Sequence, residues 1–371
     1  MIRGRPARPR APRVAPPTRR GPLTRLMPLA LPTLWGAVAV TWKLTCPLAQ
    51  QEGVAARIAT SAVFFAVGTG LVVGACRSLR RELRQVEAVA QAAQQVLLRP
   101  LPACLEGLSL AATQLSAVRG AAVGGDLYEA VATPYGVRVI IGDVRGHGLA
   151  SFGAVAAVLG SFREAAYEEP GLGGLLRRLD RALQRYVGER ARDEGAHGTG
   201  GSPSAEEFVT VLLLDIRRNG DILALNCGHP WPYRLGHGAE PLAVGDPLPP
   251  LGAFPLPDTL PVRRCARLLP GEALFLHTDG ADEARDAAGR FFPLEDVLAE
   301  LARAGALQPQ PPAAVVERVR AALLAHTGGR LADDVALVVV RNDLARTPCA
   351  RVPAQSADSG LRRSRPAPSS R

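Results

Sequence analysis

Several signatures that commonly carry hydrolytic or metal chemistry are missing from this sequence. No GxSxG elbow and no Cys–His arrangement offers a protein nucleophile, so serine and cysteine hydrolases are disfavoured. The six cysteines are scattered and show no CxxC spacing. The sequence therefore predicts neither a zinc site nor a disulfide framework, and we expect reduced thiols. No internal repeat is present.

An excess of basic charge is missing from the part of the chain that is predicted to fold. The whole chain has a formal net charge of +10. Residues 1–84 and 344–371 together carry a net charge of +17, whereas residues 85–343 carry −7. The excess of basic charge lies in the tails and beside apolar segments, as is typical of the residues that flank transmembrane helices. We therefore predict no nucleic-acid partner.

The N-terminal region predicts a membrane anchor. Residues 1–25 hold eight arginines and repeated prolines, which indicates a disordered basic arm in the cytoplasm. Residues 26–76 predict a two-helix transmembrane hairpin, because the stretches 26–42 and 58–76 carry no charge. Arginines flank the outer ends of both stretches, so the main domain is expected in the cytoplasm of a multi-pass protein of the cell membrane. A signal peptide ending near residues 37–39 is an alternative that leaves the main domain inside.

Residues 77–102 predict a linker helix. An a/d pattern of apolar residues runs along it, formed by Leu79, Leu83, Val86, Ala90, Ala93 and Leu97. One interpretation is an amphipathic helix that packs on its own domain. The other is a short parallel coiled coil that makes a homodimer. Pro100 and Pro102 end the helix.

Residues 103–342 alternate between strand and helix patterns and predict a layered α+β sandwich. The predicted strands are residues 108–115, the run ending at Asp143, 208–216, 221–227, 231–235, the run ending at Asp279 and 335–340. The predicted helices are residues 149–167, 171–187, 293–304 and 312–326. Residues 188–206 predict a mobile loop, residues 238–262 an irregular Pro-rich segment, and residues 343–371 a disordered basic tail.

Four acidic sites repeat one pattern, an apolar strand beside a carboxylate in a turn of small residues. They are Asp126 in GGDLYE, Asp143 in GDVRGHG, Asp279 in HTDGADEA, and Asp333–Asp334 in LADDVALVVV. Oxygen ligands suit Mg²⁺ or Mn²⁺ rather than zinc or copper. Two such ions activate a water and bind a phosphoryl oxygen, so no protein nucleophile is needed. A binuclear metal centre is the prediction, and a hairpin with solvated acids is the alternative for the stretch 124–148.

These blocks, in this order, resemble the bacterial SpoIIE-type branch of the metal-dependent protein phosphatases (the PPM family), which are relatives of protein phosphatase 2C. GGDLYE, GDVRGHG, FVT at 208–210, CGHPWP at 227–232, HTDGADEAR and LADDVALVVV carry the resemblance. It covers residues 103–342 and implies an α-β-β-α sandwich. The implied reaction is the hydrolysis of phosphoserine or phosphothreonine on a protein substrate with two Mn²⁺ or Mg²⁺ ions.

The resemblance also implies roles for particular residues. Asp143 would bridge both metals, and the carbonyl of Val144 would bind one of them. Asp279 and Asp333 would hold one metal, and Asp126 would hold the second, partly through water. For His147 and His229, structural hydrogen bonding is favoured over general acid catalysis. Asp334 and Glu283 are interpreted as neighbours of the ligands or as solvated groups.

The sequence departs from the family pattern at two positions. Glu129 stands where the family usually has Asp, and Leu127 where an aromatic is common, which places the geometry at the second metal in question. The leading function is a membrane-anchored phosphatase that acts on a signalling protein such as an anti-sigma-factor antagonist. The alternatives are a catalytically silent membrane scaffold with the same fold and, because GGDLYE echoes a cyclase signature, a nucleotide cyclase that the other blocks do not fit.

Overall fold

The structure is a computed structural model, and it describes residues 34–38, 41, 54–117, 124–145, 149–196, 207–307 and 310–344. The predicted arm 1–25, most of the stretch 26–42, His147 and nearly all of the tail lie outside these residues. The chain divides into two compact units, Met1–Ala88 and Val89–Arg371.

One long helix, α1 (Val54–Leu97), contains both the second predicted span and the predicted linker helix. Within the described residues, Ser61–Arg81 is the one stretch that is long and apolar enough to cross a membrane. Residues 34–38 are helical, and the indole Nε1 of Trp35 donates to the carbonyl of Phe64 at 3.3 Å. The side chains of residues 82–96 are not described, so the coiled-coil seam stays a prediction.

The second unit contains two antiparallel sheets. The six-stranded sheet has the order β1-β2-β11-β10-β7-β8, and the five-stranded sheet has the order β3-β4-β5-β6-β9. The strands are β1 (Cys104–Leu105), β2 (Leu108–Leu115), β3 (Asp126–Thr133), β4 (Gly136–Val144), β5 (Val209–Ile216), β6 (Asp221–Cys227), β7 (Tyr233–Leu235), β8 (Ala239–Pro241), β9 (Arg263–Arg267), β10 (Ala273–His277) and β11 (Val335–Asn342).

Helices cover the outer face of each sheet. They are α2 (Leu149–Glu168), α3 (Leu172–Ala196), the single turn α4 (Asp279–Asp282), α5 (Leu294–Leu307) and α6 (Pro312–His326). One apolar core joins α2 and α3 to the five-stranded sheet, and another joins α5 and α6 to the six-stranded sheet. A third core lies between the sheets. The predicted α-β-β-α sandwich is confirmed.

The central strands are buried on both faces, which explains their unbroken apolar runs. In β4, residues 137, 139 and 141 face the other sheet, while Ile140 and Val144 face the helices. This alternation is the period of two that a pleated strand imposes.

Three expectations need correction. Asp126 is not in a turn, because it is the first residue of β3. The predicted loop 188–206 is helical as far as Ala196, and the rest lies outside the described residues. Cys104 is disulfide-bonded, so the expectation of six reduced thiols is wrong at that position.

Candidate metal centre

Two of the predicted ligands lie on neighbouring strands of the five-stranded sheet. Asp126 begins β3 and Asp143 is the last residue but one of β4, and their Cα atoms are paired across the antiparallel ladder. Asp126 is only 1% exposed. The backbone N–H of Val144 donates to the carbonyl of Gly125 at 3.2 Å, which extends the pairing beyond the two carboxylates. Strand register therefore places Asp126 and Asp143 side by side.

The six-stranded sheet brings the other acidic groups. Asp279 follows the end of β10, and the pair Asp333–Asp334 precedes the start of β11. Because β10 and β11 are antiparallel neighbours, with His277 paired to Leu337, the end of one strand meets the start of the other. Each sheet therefore contributes its carboxylates from the ends of two neighbouring strands.

Thr278 connects the acidic strand ends of the two sheets, and sequence reasoning missed it. Its hydroxyl donates to Oδ2 of Asp126 at 3.2 Å and accepts from the backbone N–H of Ala336 at 2.9 Å. One buried side chain thus connects β3 in one sheet with β11 in the other. The available signal was its position immediately before Asp279 in the HTDG block.

Asp334 packs closely against the backbone of the site. Its Oδ1 accepts from the N–H of Ala117 at 3.0 Å, while its own N–H donates to Oδ1 of Asp333 at 2.8 Å. A Cβ at Gly124 would lie 2.5 Å from Oδ2 of Asp334. A side chain at position 124 would therefore displace this carboxylate, which favours glycine there.

The carboxylates perturb one another. Burial raises the pKa of Asp143 to about 7, with further contributions from Asp279, Asp333 and Asp334. Burial and the neighbouring charge of Asp143 raise the pKa of Asp126 well above its ordinary value. Like charges in a poorly solvated place favour the protonated form, because each carboxylate raises the cost of ionising the next.

The pKa of Asp279 is raised in the same way, first by burial and then by the charges of Asp333 and Glu283. Glu283 is exposed, as predicted for a solvated group, and still contributes to the field at Asp279. All four predicted aspartates therefore belong to one electrostatic group, which Asp334 joins.

Within the described part of the chain, these aspartates form no ion pair with an arginine. In that same part, no three His, Cys, Asp or Glu side chains are close enough together to hold an ion as they stand. Oxygen donors alone, with uncompensated negative charge, match the ligand preference of Mg²⁺ and Mn²⁺. The donor set fits a hard divalent cation.

His229 has a structural place beneath the site. It is buried, and its ring lies between two oxygens: Nε2 is 3.1 Å from the carbonyl of His277, and Nδ1 is 3.0 Å from the hydroxyl of Thr210. Because a carbonyl only accepts, Nε2 carries the proton and Nδ1 accepts from Thr210. Burial lowers the pKa of His229 to about 3, so the ring is neutral. Both nitrogens are occupied, which agrees with hydrogen bonding and not with general acid catalysis.

The two departures from the family pattern face away from the carboxylates. Leu127 is fully buried in the core between the sheet and α2, whereas Tyr128 lies in the core between the sheets. By alternation, Glu129 points to the helix side and Asp126 to the side of the other sheet. Glu129 accepts hydrogen bonds from Arg163 of α2 at 2.9 and 2.5 Å.

Comparisons with known proteins agree with the fold. A sequence model of the family described as Stage II sporulation protein E (SpoIIE) matches residues 133–343. The chain is similar in structure to the SiaA PP2C domain of Pseudomonas aeruginosa, with 20% identity, a TM-score of 0.53, and coverage of 72% of this chain and 98% of that one.

A second similar structure contains the RsbU and RsbW domains of a Mycobacterium tuberculosis protein. The identity is 24%, the TM-score is 0.50, and the match covers 68% of this chain and 63% of that one. The present chain therefore spans less than two thirds of the length of that relative. Both likenesses concern the fold. The family match extends over more than half of the sequence, so this chain belongs to the SpoIIE family, and its fold is similar to that of a PP2C domain.

Proposed function

We propose that this protein is a membrane-anchored phosphatase that removes phosphate from phosphoserine or phosphothreonine on a signalling protein, using two Mn²⁺ or Mg²⁺ ions. One observation carries the proposal. Buried Asp126 is paired in register with Asp143, and further carboxylates raise the pKa of both. No described arginine pairs with these aspartates, and a bound cation would compensate the negative charge of their ionised forms.

Each predicted ligand has a role in this proposal. Asp143, which is close to carboxylates from both sheets, would be shared by the two ions, and the carbonyl of Val144 would help to hold one of them. Asp279 and Asp333 would hold one ion, and Asp126 would hold the second. The raised pKa of Asp143 supports a central place, because three of its four charged neighbours come from the other sheet.

The bound ions supply Lewis acidity and charge neutralisation for attack of water on phosphorus. The chain's own residues position and shield the site. Strand pairing holds Asp126 beside Asp143, and the hydroxyl of Thr278 fixes one oxygen of Asp126. The chain of hydrogen bonds from His277 through His229 to Thr210 supports β5 directly beneath Asp143, whose N–H donates to the Thr210 hydroxyl at 3.2 Å. Neutral His229 keeps this support free of extra charge.

The cellular setting is part of the proposal. The helix stretch Ser61–Arg81 supports an anchor, and the arginines that follow the apolar residues support a cytoplasmic catalytic domain. We propose a two-span hairpin with the domain boundaries that the sequence predicts, and a homodimer formed through the C-terminal half of α1. An anti-sigma-factor antagonist in its phosphorylated form is the kind of substrate that the family resemblance suggests.

The test uses the full-length chain in detergent with p-nitrophenyl phosphate and then a phosphoserine protein. We expect turnover with Mn²⁺ and none with EDTA. Asp143→Asn should lower turnover by at least about 100-fold, because it removes the bridging ligand itself and even outer groups are worth 10–100-fold. Asp258→Asn, an exposed carboxylate far along the chain, is the matched control.

Calorimetric titration with Mn²⁺ separates the possible failures. Binding without turnover on either substrate would favour the silent scaffold. If Mn²⁺ does not bind, or if Asp143→Asn retains full activity, the proposed metal centre is wrong.

A further inference from the structure

Arg163 of α2 joins three elements of the second unit. Its Nε and Nη2 donate to Oε2 of Glu129 at 2.9 and 2.5 Å, and Nη2 also donates to the carbonyl of Leu97 at 2.5 Å. Glu129 lies on β3, and Leu97 is the last residue of α1. A single guanidinium therefore connects α2, β3 and the C-terminal end of α1.

The contact with Leu97 has a clear physical basis. The last four carbonyls of a helix have no partner within that helix, and an arginine placed there satisfies them while matching the negative end of the helix dipole. The planar guanidinium offers several donors in a fixed fork, so Arg163 bonds the carboxylate and the carbonyl together. A lysine has no such fork.

The contact with Glu129 is largely shielded from water. The side chains of Arg163 and Glu129 are 23% and 9% exposed. Removing one partner of such a pair leaves the other charge poorly solvated. The resulting loss of stability is larger than for an exposed ion pair. The pair therefore restrains β3 against α2 on the helix side of the sheet.

The same strand carries Asp126 on its other face, three residues before Glu129. Leu127, between them, packs into the core under α2, so apolar packing as well as the ion pair holds β3 to the helix side. We propose that Arg163 is a positioning residue, which acts through Glu129 to hold β3, and with it Asp126, in the geometry that binds the second metal. The inference rests on the proposed role of Asp126 as a ligand.

The pair depends on the glutamate that this sequence has at position 129. The extra methylene of Glu, relative to Asp, extends the carboxylate towards α2, where both donors of Arg163 meet the same oxygen. The departure from the family pattern thus has a partner that the sequence alone does not reveal. This contact also predicts that the shorter Asp at position 129 would not bind Arg163 equally well.

The experiment measures Mn²⁺ affinity by calorimetry on the full-length chain in detergent, with thermal unfolding recorded for each variant. Arg163→Gln and Glu129→Gln should each weaken Mn²⁺ binding about tenfold, the usual lower bound for groups that orient a ligand. The double variant should be no weaker than either single one, because both remove the same interaction. At saturating Mn²⁺ the kcat should change far less than the Mn²⁺ concentration needed for half activity.

Glu129→Asp is the conservative variant. It keeps the charge and should weaken Mn²⁺ binding in the same direction but by less, so it decides the question if Arg163→Gln does not fold. Arg178→Gln is the matched control, since Arg178 of α3 also pairs with glutamates, Glu168 and Glu169, at the surface. Its Mn²⁺ affinity should equal that of the unaltered chain.

Wild-type Mn²⁺ affinity in folded Arg163→Gln, Glu129→Gln and Glu129→Asp would overturn the inference. Asp126→Asn distinguishes that failure from failure of the proposed function. If Asp126→Asn loses Mn²⁺ binding while the Arg163 and Glu129 variants keep it, only the positioning role is wrong. If Asp126→Asn also binds normally, the ligand assignment itself is wrong.

Discussion

The strand β4 holds a buried ionisable residue near each end, and the two residues differ in the charges that surround them. Near its start, Arg138 is fully buried and lies 3.8 Å from Asp215, its partner on β5. Its guanidinium also donates to three backbone carbonyls at the end of α2, those of Ala166, Glu169 and Pro170. Burial lowers the pKa of Arg138, and the charge of Asp215 opposes that shift. This charge is compensated within the described fold.

Near the other end of β4, Asp143 faces further carboxylates, and the described residues supply it with no cationic partner. The difference separates a structural charge from a functional one. At the Arg138 end the fold provides the counter-charge and uses it to close a helix end. At the Asp143 end the fold provides repulsion, which the proposed cation would relieve.

The largest expected effect is on stability, when the buried charge of Arg138 is removed. Arg138→Met should lower the free energy of unfolding by about 3–5 kcal/mol, because Asp215 and the α2 carbonyls lose their buried partner. Denaturant unfolding measures it, and Mn²⁺ affinity of the folded fraction should stay unchanged. Arg181→Met, at an exposed position of α3, should change stability by less than about 0.5 kcal/mol. Equal effects of both substitutions would contradict the structural role of Arg138.

The next effect tests the uncompensated end by pH. The raised pKa of Asp143, about 7 against 3.8, means that the native state binds more protons than the unfolded state between these values. In EDTA, stability should therefore fall as pH rises from 4 to 7, by a few kcal/mol at about 1.4 kcal/mol per pKa unit. Thermal unfolding against pH measures it.

Two comparisons sharpen that experiment. Asp143→Asn should make the fall in stability smaller, because one of the titrating groups is gone while Asp126 and Asp279 remain. Excess Mn²⁺ should reverse its direction, because the ligands bind as carboxylates. A melting temperature in EDTA that is flat or rises over this pH range would show that the carboxylates do not repel one another.

The smallest effect concerns the hydrogen bonds beneath Asp143. Thr210→Val keeps the shape but leaves the N–H of Asp143 and Nδ1 of His229 without the hydroxyl, so we expect a loss of about 1–3 kcal/mol. Thr210→Ser keeps the hydroxyl and should lose less. Thermal unfolding of the two variants provides the comparison, and equal losses would mean that the methyl group matters rather than the hydrogen bonds.

The apolar periodicity of the sequence and the positions of its turn residues and prolines predicted most of the fold. The strand 221–227 and the helix 312–326 have the predicted bounds, because each has a clear apolar pattern between a turn or proline and a change of composition. The strand β3 was missed because the two glycines before Asp126 are typical of a turn. The helical residues 188–196 were missed because their Gly- and Glu-rich composition is typical of a loop.

The candidate site was predicted less completely than the fold. The four aspartates could be chosen because each follows or precedes an apolar strand. Thr278 and Arg163 could not, since a hydroxyl next to a ligand and an arginine on an amphipathic helix have many ordinary roles. Only their partners, Asp126 in the first case and Glu129 with Leu97 in the second, single them out.

The sequence by itself determined most of the strands and helices, that the fold is a layered sandwich, and that carboxylates stand at strand ends. Local pattern suffices for these, because the periods of strands and helices are written into neighbouring residues. The tertiary structure alone decided which carboxylates meet and which face each side chain takes. Asp126 and Asp143 reach Asp279 and Asp334 only because two sheets pack face to face, and that packing joins residues far apart in the chain.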